Sequence, residues 1–284
     1  MTSPIIDIHP HIISTDTVRY PITPLGGTRS DWSRERSVTL EQMISAMDEA
    51  GVDKAAMVHS STTYGFECDY VADAVAAYPT RLTGVFSVNV LEPDAPQKMC
   101  YWYSKGLTGM RIFSRGSTMK EPWLALDDQR IRPCFECAAE HGISVATNVT
   151  VDAFSQLEAV LKQFPKVAFI LDHLGGTDFT DGAPYNAATP LWRLARYPNL
   201  YLKIASRNYS ESQKGKATPE TLFPKIVAEF GSNRTAWGSN YPASAGTLTE
   251  LLELARKTVA CLTQRDQEQI FGGTALRLYP ALKS

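Results

Sequence analysis

The chain is poor in several features that often reveal a protein's strategy. It has only five cysteines in 284 residues, Cys68, Cys100, Cys134, Cys137 and Cys261. An odd, scattered set of this kind excludes a disulfide framework and predicts reduced thiols. "CFEC" at 134–137 has redox-motif spacing, but it lies inside "RPCFECAAEHG", which reads as a helix ended by Gly142, so these thiols are expected in the core. There is no charge excess. A formal charge of −2 and a pI near 6.2 leave no basic footprint for nucleic acid or an anionic membrane. No apolar run approaches a membrane span, and the first strand begins within a few residues of Met1, which predicts no signal peptide and a cytoplasmic location. No Gly-rich phosphate loop follows that strand, so the dinucleotide-binding fingerprint is missing. No linker, low-complexity block or composition break divides the chain. With 44% hydrophobic residues it can bury a core, and a single domain over 1–284 is expected.

What the chain does have is alternation. Eight β-rich runs, "PIIDIH" (4–9), "KAAMVH" (54–59), "RLTGVFSV" (81–88), "LTGMRIF" (107–113), "ISVATNV" (143–149), "KVAFIL" (166–171), "NLYLKI" (199–204) and "RTAWGS" (234–239), are separated by amphipathic stretches such as "LEQMISAMDEAG" and "AFSQLEAVLKQF". Eight strand-then-helix units in this length predict an α/β fold, a (β/α)8 TIM barrel, over a doubly wound sheet with fewer strands. The long connections, 12–38, 114–126 and 174–186, each follow a strand and would form the catalytic rim. "RDQEQIFGGTALRLYP" is expected as the closing helix.

Histidine is scarce too, yet two of the five stand one residue apart in "IDIHPHI" (6–12). In an extended strand Asp7, His9 and His11 share one face, and Pro10, which has no N–H, suits a strand's end. Other polar residues fall at strand ends as well: His59 after strand 2, Arg111 and Arg115 at and after the end of strand 4, Asn148 at strand 5, His173 after strand 6, Lys203 and Arg207 at strand 7, and Asn240 after strand 8. Four of the five histidines thus map to one rim. His141, just before Gly142, reads as a helix-end residue. His59 reads equally well as a packed residue, and Arg111 and Lys203 as interior ion-pair partners. Asp7 and Asp172 are expected to orient the histidines.

"IDIHPHI", "GMRIF", "ILDHLGG" and "WGSNYP" resemble the first, fourth, sixth and eighth strand motifs of the amidohydrolase-related (amidohydrolase 2) family. Within it the sequence is similar to the lactonase branch, typified by 2-pyrone-4,6-dicarboxylate lactonase. Decarboxylases of aromatic and muconate acids form another branch. Two positions depart from the family's pattern: Asn148 stands where metal-dependent relatives carry a histidine, and Asn240 replaces the eighth-strand aspartate that is metal ligand and general base. Both changes weaken metal affinity, and an amide accepts no proton near neutral pH.

The resemblance implies a hydrolase opening a small carboxylated lactone, with His9, His11, His173 and Asn240 as the catalytic set. Its histidines would hydrogen-bond the substrate carbonyl and His173 would serve as base, near an ordinary pKa of about 6.5. Arg111, Arg115, Lys203 and Arg207 would bind the carboxylate, assisted by Asn148, His59 and Tyr64, and Trp32, Trp123 and Tyr64 would cover the ring. No cofactor is favoured; a zinc, if present, would sit on His9, His11 and His173. The alternatives are a metal-dependent decarboxylase or other lyase of a small aromatic or unsaturated acid, and a degenerate member that binds ligand without turnover. The expected partner is a small molecule, with no nucleic acid and no membrane, and a homo-oligomer is compatible with the sequence.

Overall fold

The computed structural model describes residues 3–114 and 122–283. Eight parallel strands follow one another in chain order: β1 (Ile6–Asp7), β2 (Lys54–Val58), β3 (Leu82–Phe86), β4 (Gly109–Phe113), β5 (Ser144–Asn148), β6 (Phe169–Asp172), β7 (Leu200–Ile204) and β8 (Thr235–Trp237). The Ile8 N–H donates to the Trp237 carbonyl at 3.3 Å, linking the last strand to the first. With a helix after each of the longer strands, this is the expected (β/α)8 barrel.

Helix ends are set locally. Leu40–Ala50 begins with a capping box between Thr39 and Gln42 and stops at Gly51, whose φ of 70° suits a residue without Cβ. The predicted stop at Gly142 is also seen, at φ 67°. The closing helix differs from expectation: it is broken into Gln264–Glu268, a π-helical turn Gln269–Gly273, and Thr274–Leu278. Gly272 lies in that turn, where a Cβ would collide with the Pro4 carbonyl oxygen, so the absence of a side chain lets the turn meet the segment before β1.

Strand alternation sorts side chains into two cores. Met57, Met110, Val145, Leu171 and Leu202 face the surrounding helices in the large cluster. Ile6, Val58, Val85, Ala146, Ile170 and Ala236 form a smaller cluster with Leu278, Tyr279 and Leu282, so the C-terminal segment packs against the barrel interior. Arg111, Asn148, Asp172 and Lys203 lie two residues beyond Gly109, Ala146, Ile170 and Tyr201 on the inner side, one layer nearer the strands' C-terminal ends. Register carries this further: Asp172 is aligned directly with Lys203 across β6 and β7, and Arg111 with Ala146 across β4 and β5. Among the described residues no helix is long and apolar enough to cross a membrane.

Candidate active site

β1 is shorter than the predicted run and the chain bends at Ile8, so simple alternation does not continue through the histidines. Asp7 accounts for the bend. Its Oδ1 accepts from the backbone N–H of His9 at 2.9 Å and of Ser239 at 2.8 Å, tying the end of β1 to the segment after β8. Asp7 therefore holds backbone, and the expectation that it orients an imidazole is corrected. Burial raises its carboxyl pKa to about 6, against the lowering effect of the Ser239 and His9 hydrogen bonds.

The bend brings His9, His11 and His173 together. The His9 ring stacks on that of His173 with centroids 5.1 Å apart and meets the His11 ring edge-on at 5.0 Å. His173 stands at φ 52° and Asn240 at φ 57°, left-handed conformations that cost strain in residues with a Cβ and often mark functional positions. The turn after His173 passes close to a neighbour: a Cβ on Gly175 would lie 2.5 Å from the Phe154 ring.

A cavity of 290 Å³ opens above them, lined by His11, His59, His173, Arg111, Asn148 and Asn240 among others. Those six predicted residues are brought to one site. Trp32 also lines it, tilted against His11 with centroids 5.2 Å apart. The Asn240 amide donates to Ser244 Oγ at 3.0 Å. Ser60, Ser61, Thr62 and Phe113 line the cavity as well. The sequence reading passed over them, although "HSSTTYG" begins at the same strand end as His59.

Other expectations are corrected. Tyr64 is buried away from the cavity wall, its hydroxyl accepting from the Ser14 N–H at 2.7 Å, so it anchors the rim loop. Trp123 packs on Phe113. Arg207 lies on the helix Ser206–Glu211, paired with Glu211 one turn later at 2.7 Å and with 64% of its side chain exposed, and its charge still acts on His173. Lys203 is fully buried below the histidines as an ion-pair partner. Arg115 lies outside the described residues.

Asp172 is the hub of that pairing. Its Oδ2 accepts from Arg111 Nε at 2.9 Å, and its Oδ1 forms a close ion pair with Lys203 Nζ at 2.7 Å. Burial pulls the carboxyl pKa up, but the charges of Lys203 and Arg111 outweigh it and hold Asp172 ionised, well below the usual carboxylate range. Asp172 is thus committed to cations instead of orienting His173.

The histidines are held neutral, contrary to the expectation of ordinary pKa values. Burial lowers His173 to about 4, with Arg111 and Lys203 adding to the effect and Asp172 opposing it. Burial and the Arg111 charge take His11 to about 3, burial takes His59 to about 4, and burial with Lys203 and Arg111 takes His9 well below its usual value. Tautomers follow from partners. His11 Nδ1 lies 2.8 Å from the Val58 carbonyl, which can only accept, so Nδ1 carries the proton and Nε2 is an acceptor. His11 therefore cannot donate to a substrate carbonyl while neutral, which corrects the expected donor role for half of the pair. Both ring nitrogens of His9 are buried without a partner among the described residues, and His9 does not line the cavity, so it stands behind His11 and His173 and the expected donor role is corrected for it as well. His59 Nε2 donates to the Gly65 carbonyl at 2.9 Å.

Donor atoms of His9, Asp172 and His173 lie within 4.8 Å of one another, enough for a metal by number and proximity. This set differs from the one expected, with Asp172 in place of His11 and hence one anionic donor. The charge balance is less favourable to a dication, because Asp172 already neutralises part of two cations, Lys203 and Arg111. These residues as arranged do not fit a metal well.

The Amidohydrolase family (Amidohydro_2) matches residues 6–281. An L-fucono-1,5-lactonase from Burkholderia ambifaria is 23% identical over 161 residues, 54% of this chain and 56% of that protein, so the chain matches about half the length of that relative. A Pseudomonas putida protein assigned as a 2-pyrone-4,6-dicarboxylic acid hydrolase superimposes with a TM-score of 0.78 at 18% identity, covering 99% of both chains. An amidohydrolase from Burkholderia multivorans with bound zinc gives 0.75 at 16% identity, covering 98% of this chain and 99% of that one. Aromatic-acid decarboxylases share the fold too. The structural likeness at these identities is one of fold, while the match over 6–281 is one of family: the chain belongs to the amidohydrolase 2 family.

Proposed function

We propose that the protein is a lactonase that opens a small carboxylated lactone without a metal. The observation that carries this reading is the cavity in which neutral histidines stand beside Arg111, itself backed by the Asp172–Lys203 pair. The names of the lactone-hydrolysing relatives support it. Arg111 spends Nε on Asp172, which, among the described residues, leaves its terminal N–H groups for a substrate carboxylate. The charges of Arg111 and Lys203 stabilise the oxyanion that develops on the lactone carbonyl oxygen. A water held by the His11 Nε2 acceptor attacks the carbonyl carbon while His173 takes its proton. The tetrahedral intermediate then expels the ring oxygen, which recovers that proton from His173. A base held near pKa 4 is weak, which suits an activated ester and not an amide.

A zinc-dependent hydrolase or lyase is the second reading, favoured by the nearness of His9, Asp172 and His173 donor atoms and by the zinc-bound neighbour. One experiment separates the two. Chelator-treated protein is assayed on a panel of carboxylated and uncharged lactones and on aromatic acids, with elemental analysis of the same sample. Turnover of carboxylated lactones by metal-free protein is expected. Activity that vanishes on chelation and returns with zinc, or carbon dioxide released from an acid, would replace this reading with the second, and ligand binding without turnover would mark a degenerate member.

A further inference from the structure

A second cluster of metal-ligating side chains lies on the barrel's flank, away from the cavity. Cys100 is on the helix Ala95–Ser104 and Cys137 and His141 are on the neighbouring helix Arg132–His141. Cys137 and His141 are four residues apart, so they share one helical face. Cys100 Sγ lies 3.9 Å from Cys137 Sγ and 3.6 Å from His141 Nε2, and all three donor atoms fall within 4.8 Å of one another. Tetrahedral zinc, with bonds of about 2.3 Å to sulfur and about 2.0 Å to nitrogen, requires edges of about 3.8 Å and about 3.6 Å. Both of these edges match the observed 3.9 Å and 3.6 Å. Cys134, the other half of the "CFEC" motif, turns toward the Val90 carbonyl at 3.8 Å, while Cys137, which also reaches the Pro96 carbonyl at 3.9 Å, joins Cys100 and His141.

We propose that Cys100, Cys137 and His141 form a binding site for a thiophilic divalent cation of the zinc class, with solvent at the fourth position. Cys100 is exposed and His141 half-buried, which gives an ion access, while Cys137 is buried and fixes one edge. Both thiols lose their protons to solvent as the two metal–sulfur bonds form, and the imidazole binds neutral through Nε2. His141 is the last residue of the helix leading into β5, at the barrel end opposite the cavity, so the ion would cross-link neighbouring helices and take no part in the chemistry at the rim. This proposal is independent of the lactonase reading.

Cobalt(II) is the probe. Reduced, chelator-treated full-length protein is titrated with it, and the thiolate-to-cobalt charge-transfer absorption is followed in the near ultraviolet. The histidine and aspartate cluster of the barrel contains no sulfur and cannot produce this band. One cobalt per chain, displaced by zinc with a rise in Tm, is expected. Cys100→Ser, at an exposed position that tolerates the change, should abolish most of the band. His141→Gln should weaken binding by roughly 100-fold or more, beyond the ~10–100-fold that loss of a ligand's hydrogen-bonding neighbour costs. Cys261→Ser, at the other exposed thiol, should leave it intact. A colourless protein in excess cobalt, or a band that survives Cys100→Ser, would overturn the assignment.

Discussion

Four histidines buried neutral make acid the weak point of this fold, and lowering the pH from 6.5 is the perturbation that exposes it. In the unfolded chain each histidine takes up a proton near pH 6.5. In the native state His173 and His59 wait until about pH 4, His11 until about 3, and His9 until well below its usual range. Between those limits the unfolded state binds more protons, so stability falls as pH falls. Asp7 acts in the opposite sense: raised to about 6 in the native state, it binds its proton first there and returns some stability. Four histidines less one aspartate leave about three protons, a slope of about 4 kcal/mol per pH unit. From pH 6.5 to 5 the net loss is about 5 kcal/mol, comparable with the whole stability of a marginal domain. Urea unfolding of metal-free protein across that range measures the slope directly. His59→Gln, whose amide can keep the bond to the Gly65 carbonyl, should reduce it by about one proton, or ~1.4 kcal/mol per pH unit. A wild-type slope of one proton or less, or native histidines titrating near 6.5 by NMR, would refute the reasoning.

Three further outcomes are expected. Arg111→Met should lower kcat/KM for a carboxylated lactone by about 100-fold, the loss of a charge-assisted pair worth about 3 kcal/mol, and affect an uncharged lactone far less; equal effects on both would remove Arg111 from carboxylate recognition. Asn240→Asp adds a carboxylate to the cavity wall, in a left-handed position that aspartate tolerates, and should raise zinc affinity more than about tenfold in competition with a chromophoric chelator; unchanged affinity would place this side chain beyond reach of the donor cluster. Gly109→Ala sets a Cβ 2.7 Å from the Tyr279 ring inside the barrel and should cost about 1–3 kcal/mol in urea unfolding, and a neutral effect would mean that the C-terminal segment can yield.

Much of this architecture can be read from the sequence, for a physical reason. Each strand is a short run rich in buried residues and bounded by polar turns, so every predicted run overlaps a strand, and the ends shift, most of all for 166–171, whose strand is Phe169–Asp172. β1 loses its last predicted residues because the Asp7 carboxylate captures the His9 N–H, a side-chain-to-backbone bond that alternation cannot anticipate. Strand ends also locate His9, His11, His59, His173, Asn148 and Asn240, since a barrel brings every strand's C-terminal end to one rim. Which way a rim side chain turns is not local information. Arg207 goes to Glu211, Tyr64 to the Ser14 N–H and Lys203 to Asp172, each chosen by a partner that only the folded chain provides.

The least legible feature is the electrostatic one, and it links the site to its chemistry. Lys203 and Arg111 pair with the same carboxylate, and Asp7 acts on Lys203 as well, yet both cations stand close enough to the imidazoles to act on them. Their field adds to burial in keeping His9 and His173 unprotonated. In the proposed lactonase reaction a neutral His173 would retain a lone pair to accept a water proton at neutral pH, and the same two cations would stabilise the oxyanion that develops when water attacks. Their field also disfavours a dication at the His9, Asp172 and His173 donors. One arrangement of charge thus bears on base, oxyanion and metal together. Removing the Lys203 charge should accordingly move two observables in opposite directions, raising zinc affinity while slowing metal-free lactone hydrolysis. Lys203→Met tests this coupling, with urea unfolding of the same variant to establish that it folds. A variant that folds and leaves both unchanged would show that the field does not reach the reaction.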